Sequence, residues 1–280
     1  MRKLAFLFLS LFAFCTASAQ VTTSSMSGRV ADTDGQPIIG ATIVAVHTPT
    51  GTQYATASTR NGQFNLGGMR VGGPYDVEVS FIGCNTEKIG GIYLTIGEEA
   101  TLDFVLREDS QSIGEVVVVG KANPVFNANR TGAQEVVTLE MMEKLPTTSR
   151  SLDEFVKLTP MSSGKNFAGT SYRFNNVTVD GASFNNSFGL SSALGAQGTE
   201  PISLESIEQV QVMIAPYDVR NGGFTGGGIN SVTKSGTNEW HASVYMYTKS
   251  PELQGRRVRD YVGQVSEFSN RQYGVSLSGP

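Results

Sequence analysis

The chain has 280 residues, with 21 Lys and Arg against 25 Asp and Glu, for a formal net charge of −4. That mildly acidic balance argues against nucleic acid as a partner, because phosphate backbones are bound by clustered cations. Thirty-two glycines with only 16% charged residues, against an average glycine usage of roughly 7%, suit short strands and many turns.

Residues 1–19 read as an export signal. Arg2 and Lys3 form a positive lead, Leu4 to Phe14 an almost purely apolar run, and Ala17-Ser18-Ala19 a small-x-small site. The run is too short to span a bilayer, so cleavage between Ala19 and Gln20 is expected. Cys15 raises the alternative of a lipid anchor. Phe12-Ala13-Phe14 ahead of it lacks the small residues that such processing reads. Removing the signal takes away two cations and no acid, leaving 19 basic and 25 acidic groups, a net of −6. Cys84 is then the single remaining thiol, so no intramolecular disulfide is available to the exported chain. No run of about 18 apolar residues occurs, so any insertion into a membrane would have to be as a β-barrel.

Residues 20–107 read as an all-β unit. Asp34-Gly35 and Asn61-Gly62 are tight-turn pairs. Between them lie two strand candidates, Ala41 to Val46 and Gln53 to Ser58. Val77, Val79 and Phe81 then alternate with Asp76, Glu78 and Ser80, and Leu102, Phe104 and Leu106 with Thr101 and Asp103. Period-2 patterning at intervals of about ten residues predicts a β-sandwich. Ser27 to Val30, Asp34 to Thr42 and Thr59 to Phe64 resemble the carboxypeptidase-regulatory-like domain. That resemblance implies a transthyretin-like, carbohydrate-binding-like sandwich. No peptidase site accompanies it: there is no H-x-x-E pair, and His47 stands alone.

Residues 108–122 form a linker with an unusual core, Ile113-Gly114-Glu115-Val116-Val117-Val118-Val119. On composition alone, four consecutive valines also read as one more buried strand. Their position at a domain edge favours an extended peptide that adds to another protein's sheet edge. The string is similar to the TonB box of Bacteroidetes receptors, with Ile113 where leucine is frequent. The resemblance implies the periplasmic protein TonB as a partner.

Residues 123–236 mix helical and strand signals among glycine- and asparagine-rich loops. Ser151 and Glu154 form a capping-box pair, Leu152, Phe155 and Val156 line a helical face, and Thr159-Pro160 closes it. Val210, Val212 and Ile214 share one face of a strand. The expected fold is an α+β globule. Leu145-Pro146, Arg150 to Asp153, Asn176 to Gly181, Ile207 to Val210 and Gly226 to Gly236 occur in the order found in the plug of TonB-dependent outer-membrane receptors of the Oar-like and SusC-like kind. Asp180, Gly181, Gly226, Gly227 and Gly228 are the plug-motif residues. The glycine run from Gly222 to Asn230 is no phosphate cradle, since Lys234 follows too late. Glycines that permit sharp turns and close backbone approach are the simpler reading. Asp180-Gly181 reads as a turn that aims a carboxylate. Phe184, Asn185, Asn186 and Phe188 could meet a ligand from an outward loop, or be ordinary loop composition.

Residues 237–280 hold two alternating strands. Trp240, Ala242, Val244 and Met246 oppose His241, Ser243, Tyr245 and Tyr247, and Tyr273, Val275 and Leu277 oppose Gln272, Gly274, Ser276 and Ser278. Such segments match the transmembrane-barrel pattern, weak per strand. Ser278-Gly279-Pro280 resembles the middle of the receptors' second-strand motif, so the chain reads as an N-terminal fragment ending in a first barrel hairpin.

The expected whole is therefore mainly β: a sandwich, a plug and the first two strands of a transmembrane barrel. The resemblance implies active import across the cell outer membrane of an extracellular ligand left unidentified, with the N-terminal domain in the periplasm. The implied partners are TonB and outer-membrane lipid, and such receptors can also work with a surface lipoprotein. No catalytic residue, cofactor or metal ligand is expected: Asp32-Thr33-Asp34-Gly35 lacks the remaining ligands of a calcium loop, and His47 and His241 have no zinc partners nearby. The alternative is a secreted or surface carbohydrate-binding or adhesion protein acting through its sandwich.

Overall fold

The computed structural model describes residues 21–108, 116–118, 132–145, 151–185, 202–216, 221–255, 257–259, 261–263 and 266–280. The predicted signal and its cleavage site at Ala19 and Gln20 lie outside them. Two units are present, residues 1–234 and residues 235–280.

The first unit opens with nine strands: β1 (Ser24–Asp32), β2 (Thr42–His47), β3 (Thr52–Ala57), β4 (Gln63–Met69), β5 (Gly72–Ser80), β6 (Glu87–Leu94), β7 (Glu99–Thr101), β8 (Phe104–Leu106) and β9 (Val116–Val118). One sheet runs β4-β1-β7, with β8 also on β1; the other runs β3-β2-β5-β6-β9. Alternate residues of both close on one core, which holds Val30, Phe64, Leu66, Phe104 and Leu106 from the first sheet and Ile43, Tyr75, Val77, Val79 and Ile92 from the second. The inward residues are those of the period-2 pattern, as strand geometry requires. At the Asp34-Gly35 turn, Gly35 takes φ +79°. There the Asp32 carboxylate accepts the amides of Asp34 (2.9 Å) and Gln36 (2.8 Å). Both bonds hold the turn.

A mixed five-stranded sheet follows. This part of the chain holds β10 (Gly132–Thr138), α1 (Leu139–Lys144), α2 (Leu152–Val156), β11 (Ser162–Ser163) and β12 (Asn166–Phe167), which pair only with each other, then β13 (Asn176–Val179), β14 (Ala182–Ser183), β15 (Ile207–Pro216) and β16 (Gly228–Thr233). The order is β10-β15-β16-β13-β14, with β13 and β16 parallel. Val137, Val177, Val210, Val212 and Ile229 share a buried cluster with Met142 of α1 and Leu152, Phe155 and Val156 of α2. One correction concerns α2. Ser151 is its N-cap, but its side chain makes no cap hydrogen bond. The first turn is closed instead by the Glu154 amide on the Ser151 carbonyl at 3.1 Å. A five-residue helix is held by its buried face more than by its cap.

The second unit pairs β17 (His241–Lys249) with β20 (Asn270–Ser278); the intervening segment carries β18 (Arg257–Val258) and β19 (Tyr261–Val262). The antiparallel register places Ala242 opposite Leu277, Val244 opposite Val275 and Met246 opposite Tyr273. Both apolar faces therefore coincide. On the other face the Ser243 and Ser276 hydroxyls are 2.6 Å apart, and the Tyr245 ring lies over Gly274, where a Cβ would overlap it. An aromatic covering a strand glycine pins the register.

Candidate functional site: an edge-paired valine strand and a buried amide row

Of the predicted partner-binding string, Val116, Val117 and Val118 are described and form β9; Ile113, Gly114, Glu115 and Val119 lie outside the described residues. β9 pairs in parallel with β6, with Glu87 beside Val116, Lys88 beside Val117 and Ile89 beside Val118.

The plug-motif residues fall at opposite ends of the parallel β13-β16 pair: Asp180 and Gly181 follow the last residue of β13, and Gly226 to Gly228 lead into β16 beside Asn176. Asp180 and Gly181 have φ +48° and +81° and make the turn between β13 and β14. Asp and Gly are the residues that adopt this conformation at least cost. The Asp180 carboxylate is exposed and accepts both the amide (2.9 Å) and the hydroxyl (2.7 Å) of Thr233. It clamps its turn to the end of β16. Gly226, Gly227 and Gly228 serve close approach rather than a left-handed turn. A Cβ on Gly227 would lie 2.5 Å from the fully buried Phe167 ring, and one on Gly228 2.7 Å from Phe224. The sharp turn expected from the Gly222–Asn230 run falls within it, at Gly223, with φ +81°.

Asn185 is exposed and bonds back onto β13. Its amide accepts the Val177 N–H at 2.8 Å and donates to Asn176 Oδ1 at 2.5 Å, so it extends the β13 edge. Phe184 is exposed, while Asn186 and Phe188 lie outside the described residues.

A feature unread from the sequence joins the sandwich to the mixed sheet. Opposite the apolar face of β15, the side chains of Gln209 and Gln211 are buried, as are Asn230 of β16 and Thr178 of β13. Gln211 is directly across from Asn230, and Asn230 from Thr178. These polar side chains form a row across three adjacent strands and bond mostly to backbone. Gln209 accepts the Ile96 N–H (3.1 Å) and donates to the Leu94 carbonyl (2.9 Å). Gln211 donates to the Ile96 carbonyl at 3.2 Å, and Asn230 to the Val21 carbonyl at 2.9 Å. Thr178 donates to Asn230 Oδ1 at 3.1 Å. Amides suit this place because each carries donor and acceptor together without a charge to desolvate.

The backbone they grip is itself shaped for it. Thr95 to Glu98 forms a turn in which the Glu98 amide bonds the Thr95 carbonyl at 3.3 Å and Gly97 has φ +66°. Glycine is the residue a type II turn calls for there. Glu208, next to Gln209, lies against Gly72, where a Cβ would come within 2.9 Å of its carboxylate. Burial pushes the Glu208 carboxyl above its usual range, opposed by the nearby Lys234 ammonium.

His47 is buried, with Nδ1 2.7 Å from the Thr50 hydroxyl and its ring against Tyr75 at 4.8 Å between centroids. Burial, and then the Arg70 charge, lower its pKa. Burial likewise raises that of Tyr75. His241 is exposed on β17. Among the described residues, no group of three or more His, Cys, Asp or Glu is placed to hold a metal.

Comparison with known proteins gives a consistent result. Residues 25–107 match the carboxypeptidase regulatory-like domain. The chain is 28% identical over 189 residues to the TonB-dependent transporter Oar of Myxococcus xanthus, covering 61% of this chain and 17% of that protein. It is 30% identical over 168 residues to the probable TonB-dependent siderophore receptor PirA of Acinetobacter baumannii, covering 52% of this chain and 20% of the relative. It is 31% identical over 175 residues to the TonB-dependent receptor SusC of Bacteroides thetaiotaomicron, covering 62% and 14%. All three are transporters or receptors. The matches span a fifth or less of these relatives' lengths. Residues 25–107 are thus a carboxypeptidase regulatory-like domain, in a chain related to TonB-dependent receptors.

Proposed function

We propose that this chain, which is similar over more than half its length to TonB-dependent receptors, is the exported, gated front end of one. In this reading residues 1–19 direct export and residues 20–107 lie in the periplasm. Residues 108–122 carry the TonB box, residues 123–236 plug a barrel in the outer membrane, and residues 237–280 begin its wall. A ligand of unassigned chemistry binds from outside, with or without a surface lipoprotein. Binding makes the box available, TonB pairs with it as an added strand, and the pull remodels the plug.

The observation that carries the reading is the backbone pairing of Val116–Val118 along a sheet edge. A segment that adds to one edge in this way has the conformation that strand addition to a partner requires. The hairpin supports the membrane assignment. Val244 and Val275 are each 78% exposed and Met246 75%, an apolar face without cover in its own unit, of the kind lipid covers on a barrel wall. The glycines at 226–228 allow backbone and rings to close up inside such a lumen.

The test is Val117→Pro. Proline removes a backbone donor and forbids a continuous ladder, so TonB-dependent uptake is expected to vanish while ligand binding at the cell surface stays at the wild-type level. Undiminished uptake by this variant would sink the assignment.

A further inference from the structure

The residues ahead of β1 lie against two parts of the fold at once. Val21 and Thr22 are half-buried and Ser24 is buried. Towards the sandwich, the segment keeps to the turn at Thr95–Glu98. The Gly97 amide donates to the Thr23 carbonyl at 3.2 Å, the Ser24 hydroxyl to the Glu98 carbonyl at 2.6 Å, and the Ser25 amide to the same carbonyl at 3.3 Å. These bonds carry the parallel β1-β7 pairing, which starts at Ser25 and Glu99, back towards the N-terminus. Towards the mixed sheet, the Val21 carbonyl accepts Asn230 Nδ2 at 2.9 Å. The Thr22 methyl lies 3.5 Å from where a Cβ on Gly181 would stand.

The first few residues of a domain stay loose unless they are tied down. Here Val21, Thr23 and Ser24 each carry a bond. Asn230 is oriented for its part. It is 2% exposed, and its Oδ1 accepts the Thr178 hydroxyl at 3.1 Å, which leaves Nδ2 as the end that meets the Val21 carbonyl. Residues 21–24 therefore form a strap from β1 to β16. The turn that Gln209 and Gln211 hold through Ile96 is held by this strap as well.

We infer that the strap seats only after hydrolysis of the Ala19–Gln20 peptide bond, and that once seated it shields the new N-terminus from further trimming. The inference rests on residues 1–19 being an export signal. Peptidases take their substrates as extended backbone, through bonds of the strand-addition kind, so the residues beside the scissile bond must be unengaged. Counted from that bond, Val21 is the second residue and Thr23 the fourth, and both their carbonyls are engaged. A seated strap and a peptidase compete for the same backbone. In the hydrolysis, water adds across the bond, leaving a carboxylate on Ala19 of the released signal and an amine on Gln20 of the mature chain. The enzyme that must act first is an endopeptidase reading the small residues Ala17 and Ala19. An aminopeptidase arriving later advances one residue at a time and stalls where the backbone is held.

The test uses the full chain in mild detergent, with signal peptidase as probe. Unfolded in urea and diluted directly into the enzyme, it should be cut between Ala19 and Gln20. Refolded before the enzyme is added, it should be cut at least about tenfold more slowly, because cleavage of a folded chain tracks the fraction that is open. Asn230→Asp keeps the shape but, ionised, has no hydrogen to donate, so its refolded chain should be cut about tenfold faster than the refolded parent. Ser24→Ala removes a strap bond without touching the mixed sheet and should also be cut faster, which keeps the comparison open if Asn230→Asp does not refold. On the mature chain, aminopeptidase digestion followed by intact mass should stop at Gln20 or Val21 in the parent and run through Thr23 in Asn230→Asp. Equal cutting of the parent before and after refolding would overturn the order of events. Trimming of the parent beyond Ser24 would overturn the shield. An unfolded chain left uncut at Ala19–Gln20 would overturn the signal reading, and the inference with it.

Discussion

Replacing Gln209 by alanine tests how firmly the sandwich is joined to the mixed sheet. The side chain is 3% exposed, accepts the Ile96 N–H at 3.1 Å and donates to the Leu94 carbonyl at 2.9 Å. Leu94 and Ile96 are themselves buried. Truncation leaves both backbone groups facing an interface without replacement partners. A buried group deprived of its bond costs about 1–3 kcal/mol, and the Ile96 N–H suffers more than the carbonyl, which has a second lone pair. A total of about 2–4 kcal/mol follows for the attachment. Neither hydrophobic core includes Gln209, so both should keep their own stability.

Native-state hydrogen exchange separates these effects. Opening of the loop at Ile96 and Gly97 should become roughly 30-fold to several hundredfold more frequent in Gln209→Ala, the factor equivalent to that free energy. Amides of Val77 and Val79, in the interior of β5, should exchange as in the parent. Gln209→Met, which keeps the shape but not the bonds, should behave like the alanine variant. An Ile96 amide within threefold of its parent rate would refute the claim that these two bonds hold the attachment.

Three further outcomes follow from packing and charge. Gly227→Ala forces a methyl to within 2.5 Å of the buried Phe167 ring and should cost about 1–3 kcal/mol, read as a lower urea midpoint; Gly222→Ala, with nothing within 4 Å, should leave the midpoint unchanged. The Glu208 carboxyl is raised by burial above the ordinary 4.5, so between that value and its folded pKa the folded chain holds more protons than the unfolded one. Stability therefore falls as pH rises through that window, and Glu208→Gln should flatten the slope and melt higher at pH 7. His47 has the opposite sign. Its pKa lies below 6.5 in the folded state, so stability conferred by keeping it neutral is lost as pH falls below about 6.5. Thermal midpoints of His47→Gln between pH 7 and 5 should decline less than those of the parent.

What was legible in the sequence is what short-range pattern determines. Val77 and Val79, or Val244 and Met246, declare their shared face because a strand turns each residue over relative to the last. That rule needs no knowledge of the partner strand. Asp180-Gly181 declared a turn because those two residues take positive φ most readily. The amide row stayed hidden for the opposite reason. Around Gln209 and Gln211, Val210 and Val212 give the alternation of a half-buried strand, which places glutamine in water. The groups that bury Gln209 are 113 and 115 residues away in sequence, and no spacing rule reaches that far. One signal was present: the off-face residues at 209 and 211 are neutral amides, not the Lys or Glu usual on a wet face. The role of Gly226–Gly228 was half legible, since composition announced a special backbone without saying whether it served turn or contact.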